Sequence, residues 1–170
     1  MEPKFVINTN ISNKSMIQPV DTVKRTHNEA IKEAAPTLAG TIAQTLADPS
    51  VDRFSEDDVQ FLKFHGIYQQ DDRDLRKTGK TYSFMIRGRI PGGVLTPKAY
   101  LVLDELATEH GNHTLRLTAR QSVQFHGVVK SKLGLLMKSL NEAMLSTLSA
   151  CGDVNRNVMA PATPIAHGLG

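Results

Sequence analysis

The chain has 170 residues, of which 40% are hydrophobic and 22% charged, enough for one globular domain with a sizeable core. No apolar run approaches the ~18 residues that a membrane-spanning helix needs, and the first residues, MEPKFVINTNISNKS, lack the pattern of a secretory signal. One cysteine, Cys151, excludes an internal disulfide framework and a self-contained iron–sulfur cluster. We therefore expect a cytoplasmic protein without a membrane segment.

The net charge is +3, and the basic excess lies in the second half of the chain. Residues 1–80 carry 11 basic and 12 acidic side chains, whereas residues 81–170 carry 9 basic and 5 acidic ones. Three of those five acids, Asp104, Glu105 and Glu109, fall in one predicted helix. The distribution therefore predicts either a surface for an anionic partner, such as nucleic acid, phosphate or a polycarboxylate cofactor, or a solvated basic face.

The first third of the chain predicts a polar arm followed by helices. Residues 1–20 are aperiodic, and Thr22 to Leu46 has helical spacing that Pro36 interrupts, which indicates two helices or one kinked helix. Val59 to Gln69 is rich in branched and aromatic residues and is predicted to form a strand, followed by a charged loop. We assign residues 1–58 to an N-terminal arm with its helices.

The second half predicts alternating strands and helices. The predicted elements are a strand at Tyr82 to Ile90, a helix from Pro97 to His110 capped by Thr96, strands at His113 to Arg120 and Val123 to Val129, a helix from Lys132 to Ala150, and a strand at Val154 to Val158. This β-α-β-β-α-β order predicts an α+β fold of the ferredoxin-like, split βαβ type, an antiparallel sheet with both helices on one face. We assign it to residues 59–160 and take 161–170 as the start of a following segment.

Polar side chains alternate onto the sheet face that the helices do not cover. They are Arg87, Arg89, Arg116, Thr118, Arg120, Gln124 and His126. Arginine presents a fork of donors that matches carboxylate and phosphate oxygens, so the face is suited to a ligand with several such groups. Two alternatives remain: acidic residues of another domain could cover the face, or it could bind RNA. RNA modules stack bases on exposed sheet aromatics, whereas Tyr82, Phe84 and Phe125 alternate toward the helix side.

No metal site or catalytic triad is predicted on this face. His126 has no second histidine at ligand spacing, which argues against a metal site and leaves this histidine as a donor to a ligand or a proton donor. His65 lies in an apolar stretch and is predicted to be structural. Cys151 is predicted to be a small, half-buried residue at a helix end.

Four segments of the sequence resemble a known family. FLKFHGIYQQDDRD, FMIRGRIPGGVLT, LRLTARQSVQFHG and GDVNRNV, between Phe61 and Pro164, resemble in order and spacing the N-terminal half of the sirohaem-containing nitrite/sulfite reductases. The last segment favours the hemoprotein of assimilatory sulfite reductase over its nitrite-reducing relatives. The resemblance implies a sirohaem cofactor, an iron tetrapyrrole with peripheral carboxylates, and the six-electron reduction of sulfite to sulfide.

The resemblance also implies roles for individual residues. The set implied to hold the carboxylates of sirohaem is Arg116, Thr118, Arg120, Gln124 and His126. Arg87 and Arg156 are implied to bind sulfite on the distal side of the iron, and Arg89 and Gln121 to support these residues.

The family's [4Fe–4S] cluster needs four cysteines, so we expect it only on a C-terminal half that this sequence lacks. We therefore expect a truncated protein or one piece of a split subunit, inactive by itself. Its expected partners are sulfite, the missing half and an electron donor, either ferredoxin or a flavoprotein, with no nucleic acid or membrane. The alternatives are a non-catalytic module that binds an anion or a tetrapyrrole, and the equivalent half of a nitrite reductase.

Overall fold

A computed structural model of the protein describes residues 24–71, 79, 81–151 and 155–161. The elements are α1 (His27–Ala34), α2 (Ile42–Ala47), α3 (Glu56–Phe64), β1 (Ile67–Asp71), β2 (Tyr82–Gly88), a 3₁₀ turn (Pro91–Gly93), α4 (Pro97–His110), β3 (Leu115–Leu117), β4 (Val123–Val128) and α5 (Lys130–Glu142). Separate helices α1 and α2 confirm the interruption predicted around Pro36. The arm predicted at residues 1–20 lies outside the described residues. Among the described helices, none is long and apolar enough to cross a membrane.

The four strands form one antiparallel sheet in the order β1-β2-β4-β3. Strands β2 and β3 each pair antiparallel with β4, so they run parallel to each other with β4 between them. Helix α4 connects β2 to β3, which makes this unit a split βαβ. The structure therefore confirms the predicted α+β, ferredoxin-like fold class.

The fourth strand comes from a different part of the chain than predicted. Strand β1 pairs with the edge of β2 that β4 leaves open. The strand predicted at Val154 to Val158 is wrong for the part that the structure describes, because residues 155–158 form no strand. They cannot join the sheet beside β2, since both edges of β2 are already paired. The segment stays close instead, and the Val158 carbonyl accepts a hydrogen bond from the Gly92 amide at 2.8 Å.

The predicted strand at Val59 to Gln69 is also wrong over most of its length, because α3 occupies residues 56–64. The Ser55 side chain caps this helix by accepting from the Asp58 amide. Three acidic residues in the first turn interact favourably with the partial positive charge at the helix N-terminus. Phe61 and Leu62 are buried in the core region. Capping and burial thus outweigh the β propensity of the branched and aromatic residues. The boundary assigned after residue 58 falls inside this helix.

Helix α4 agrees with the sequence prediction at both ends. The Thr96 side chain accepts from the Ala99 amide at 3.1 Å, Pro97 stands in the first turn, and the helix ends at His110. Helices α4 and α5 cover the apolar face of the sheet. The most deeply buried side chains between the layers are Phe84, Ile86, Leu103, Phe125, Val128, Leu133, Leu136 and Leu140.

The second long helix is shorter than predicted, and a loop replaces the helix at residues 143–150. Helix α5 ends at Glu142, and beyond it Met144 and Leu148 are exposed rather than buried. The loop is anchored by backbone hydrogen bonds, from the Ser149 amide to the Phe64 carbonyl and from the Arg89 amide to the Ser146 carbonyl. These bonds to other elements replace those of a continuing helix, and they bring Cys151 back to the sheet.

Lys130 joins α5 to the C-terminal end of α2. Its side chain is 8% exposed, and Nζ donates to the carbonyl oxygens of Thr45, at 2.7 Å, and of Asp48. We expect Lys130→Met to lower the free energy of unfolding by about 1–2 kcal/mol, because these carbonyls lose a charged donor. Urea denaturation measures the change. The control is Lys138→Met at an exposed position of α5, and equal losses in the two variants would contradict the role of Lys130.

Candidate functional site

The open face of the sheet carries a row of polar side chains across three strands. Arg87 of β2 is the register partner of Gln124 of β4, and Gln124 is the partner of Arg116 of β3. The intervening residues Ile86 and Phe125 point into the core and have no exposed surface. Alternation therefore places this row on the face opposite the helices, as predicted. We call Arg87, Gln124, Arg116 and His126 the arginine row.

Arg87 is held by two neighbours. The Gln124 amide satisfies its hydrogen-bonding groups only when its oxygen faces the guanidinium; in that orientation Arg87 Nε donates to the oxygen at 3.1 Å, and Nη2 donates to it as well. On the other side Nη1 donates to the Cys151 sulfur at 2.8 Å. Gln124 is only 7% exposed, so its amide lies beneath the guanidinium rather than at the surface. The arrangement fixes the plane of the Arg87 side chain.

Tyr68 and Cys151 also lie at this site, where the sequence predicted neither residue. Tyr68 of β1 pairs with Met85, which places it on the same sheet face as Arg87. Burial, followed by a hydrogen bond with Cys151, raises the pKa of Tyr68 above its usual range. The sequence contains Tyr68 within a recognised segment, but its place depends on the register between β1 and β2. Cys151 reaches the site through the loop after α5, which the predicted longer helix would have carried away.

His126 lies beside the arginines with an unused ring nitrogen. Its Nε2 atom is buried and has no hydrogen-bond partner among the described residues. Burial first, and then the positive charges of Arg116 and Arg87, lower the pKa of His126 below its usual value. The imidazole is therefore neutral at pH 7, with a nitrogen available as either a donor or an acceptor, depending on the tautomer.

The lowered pKa of His126 predicts a pH dependence of stability. The unfolded chain binds a proton at the ordinary histidine pKa, whereas the folded chain binds it only at lower pH, so stability falls as the pH drops below about 6.5. We expect His126→Asn to lose less stability between pH 8 and pH 5 than the unmodified chain, as measured by urea denaturation. His113→Asn, at an exposed position, is the control. A wild-type pH profile that His126→Asn leaves unchanged would refute the prediction.

Thr118 and Arg120 lie in the turn between β3 and β4. The Thr118 hydroxyl oxygen accepts from the Ser122 amide at 3.3 Å, which leaves its hydrogen available to a ligand. Arg116 and Arg120 have exposed side chains, and no acidic side chain of the described chain pairs with either. Strand β3 is shorter than predicted, and Leu117 and Ala119, which alternation along a strand from His113 to Arg120 would direct inward, are exposed. Ala119 lies in the turn after β3, outside the strand.

The segment 155–161 brings Arg156 to the same turn. Asn157 is buried, and its Nδ2 donates to the carbonyls of Arg120, at 2.9 Å, and Gln121, at 3.0 Å. The Gln121 side chain in turn accepts from the Ala160 amide at 2.8 Å. The charge of Arg156 acts on Tyr68, as does that of Arg87, so the two arginines approach the site from different segments. Gln121 thus joins the turn between β3 and β4 to the segment that carries Arg156.

Arg89 does not join the arginine row, although alternation predicted it there. Its Nη1 donates to the Leu148 carbonyl at 3.3 Å, and its backbone amide to Ser146 at 2.6 Å. The loop after α5 lies beside the end of β2 and takes up the Arg89 side chain. Arg89 therefore supports the loop that carries Cys151.

No group of three or more metal-binding side chains occurs in the described part of the chain.

Comparisons with known proteins agree with the recognised segments. Residues 75–143 match the family described as the nitrite/sulfite reductase ferredoxin-like half domain. The chain is 48% identical over 159 residues to the sulfite reductase [NADPH] hemoprotein beta-component of Staphylococcus haemolyticus, a match covering 90% of this chain. It is 51% identical over 148 residues to the protein of the same name from Methylorubrum extorquens, with 84% of this chain covered.

A solved structure shares the fold. The NirA protein of Mycobacterium tuberculosis superposes with a TM-score of 0.63 and 25% sequence identity, covering 78% of this chain and 26% of that one. The chain spans 28% and 24% of the lengths of the two curated relatives. Together with the split βαβ sheet, these similarities identify the chain as a member of the nitrite/sulfite reductase family, of which it contains a ferredoxin-like half domain.

Proposed function

We propose that this chain provides the sirohaem- and sulfite-binding part of an assimilatory sulfite reductase. The observation that carries the proposal is the arginine row, with its two exposed or half-exposed guanidinium groups and the buried, unpartnered Nε2 of His126. A buried polar atom without a partner is costly, so such an atom at an open face indicates a polar ligand.

The residues present fit a cofactor with several carboxylates. Arg116 and Arg120 are exposed cations without acidic partners in the described structure, the Thr118 hydroxyl keeps a free hydrogen, and His126 keeps a ring nitrogen. These groups would hold the carboxylates of sirohaem through charge-assisted hydrogen bonds. Gln124 is the exception among the five implied ligands, because its amide oxygen is already used by Arg87. When bound, sirohaem supplies the iron at which sulfite is reduced.

Arg87 and Arg156 are suited to the substrate. Both lie close enough to Tyr68 for their charges to act on its hydroxyl, and together they would localise a sulfite dianion. Donors fixed before the reaction stabilise the charge that develops on oxygen as S–O bonds break.

The rest of the reaction depends on other segments. One cysteine, bound to Arg87, cannot hold a four-cysteine cluster, so the [4Fe–4S] cluster would reside on sequence outside this chain. The curated relatives carry the name beta-component of an NADPH sulfite reductase. We propose the corresponding partner here, a component that takes electrons from NADPH and passes them to the hemoprotein in the cytoplasm.

Titration of the chain with sirohaem tests the proposal. We expect the absorption spectrum of sirohaem to change and to saturate at one equivalent, and sulfite to shift the spectrum of the bound form further. Haem without the additional carboxylates of sirohaem serves as the comparison ligand and is expected to bind more weakly. Saturation without a response to sulfite would support the alternative of a non-catalytic tetrapyrrole-binding module.

A further inference from the structure

Only some of the N–H groups of Arg87 have hydrogen-bond partners among the described residues. A guanidinium carries five N–H bonds in one plane. Two of these, on Nε and Nη2, are directed at the Gln124 amide oxygen, and one on Nη1 is directed at Cys151. One N–H on each terminal nitrogen therefore has no partner in the described structure. These two remain for a ligand.

We propose that Gln124 and Cys151 are positioning residues that hold Arg87 so that its two terminal nitrogens face a bound oxyanion. The proposal rests on the proposed function, because it concerns the arginine there assigned to sulfite. It changes the part played by Gln124, which supports Arg87 from below instead of contacting the cofactor. It also gives Cys151 a use as a hydrogen-bond acceptor.

The burial of Gln124 supports this assignment. The side chain is 7% exposed and lies between Arg87 and Arg116 in the strand register. An amide at this position supplies an oxygen without adding negative charge, so it orients the guanidinium and leaves its charge for the ligand. A carboxylate there would pair with Arg87 and neutralise it. Glutamine therefore allows tight positioning together with anion binding.

Cys151 completes the support from the opposite side. Its sulfur accepts from Arg87 Nη1 at 2.8 Å, and the register of β1 with β2 places Tyr68 on the same sheet face as Arg87. Arg87 is thus fixed both within the sheet and against the loop after α5. Rigid support of this kind matters because a long arginine side chain otherwise loses conformational entropy when it binds a ligand.

The test combines sulfite binding with the side-chain NMR signal of Arg87 in the 170-residue chain. In the unmodified chain we expect the Arg87 Nε proton to be protected from exchange. Gln124→Leu, of similar size, should abolish that protection and weaken sulfite binding about tenfold in calorimetry. Gln70→Leu, the same change at an exposed position of β1, is the control and should alter neither measurement.

Gln124→Glu separates positioning from direct ligand contact. It should keep the Nε proton protected while lowering sulfite affinity, because the carboxylate holds Arg87 and cancels its charge. Cys151→Ala should broaden the Arg87 signal, and Cys151→Ser should restore it through a hydroxyl acceptor. Urea denaturation of each variant verifies that it is folded.

The outcomes distinguish the two proposals. One outcome is that Gln124→Leu loses protection of the Arg87 Nε proton while even the unmodified chain binds no sulfite. That outcome would support the positioning role and count against the substrate role of Arg87. Measurable sulfite binding that Gln124→Leu and Cys151→Ala both leave unchanged would overturn the positioning role. An Arg87 Nε proton that exchanges freely in the unmodified chain would overturn it as well.

Discussion

Arg87→Ala and Arg156→Ala are expected to lower sulfite reduction by ~10²–10³-fold, equivalent to about 2.7–4 kcal/mol, while sirohaem stays bound. The reason is charge and position: the two guanidinium groups approach one region from β2 and from the segment 155–161. Loss of either removes a fixed donor from the developing oxyanion. Loss of charge at a distant arginine should not have this effect.

The assay requires the remainder of the enzyme. A suitable context is a chimera in which this chain replaces the 28% of the S. haemolyticus relative that it matches. Arg53→Ala is the matched control, because that guanidinium lies over the Tyr82 ring at 5.2 Å and donates to its hydroxyl. Sirohaem content is read from the absorption spectrum. If either variant loses sirohaem in proportion to its activity, that arginine binds the cofactor and not the substrate.

Arg116→Gln and Arg120→Gln are expected to weaken sirohaem retention by roughly ten- to a hundredfold, since each lost charge-assisted contact with a carboxylate contributes ~1.5–3 kcal/mol. Arg116 should have the larger effect, because its position on β3 is fixed by pairing with Gln124 of β4, whereas Arg120 lies in a turn. The measurement is the dissociation rate of sirohaem from the same chimera, followed by absorption.

Lys132→Gln and Lys138→Gln remove the same charge from exposed positions of α5, on the opposite side of the sheet, and serve as controls. These two variants also measure how much the general positive charge of the second half of the chain contributes to binding an anion. Equal losses in the arginine and lysine variants would place the cofactor away from the arginine row.

In the sheet, β1 takes the place of the strand predicted at Val154 to Val158, and this difference shows which parts of the fold the sequence could determine. Strands β2 and β4 and helix α4 were predictable because their signals are local: two-residue alternation in the strands, and Thr96 and Pro97 at the start of the helix. Helix α3 and the end of α5 were not, because competing signals were close in strength. Capping and packing decided α3, and hydrogen bonds to Phe64 and Arg89 ended α5.

The candidate site divides in the same way. The sequence by itself determined that Arg87, Arg116, Gln124 and His126 share one sheet face, because side chains alternate along every strand. Only the tertiary structure decided that Arg89 bonds to the loop after α5, that the Gln124 amide lies against Arg87, and that Tyr68 and Cys151 join them. The physical reason is distance along the chain. Cys151 lies 64 residues from Arg87, and no local pattern specifies which strand edge or loop will bring two such residues together.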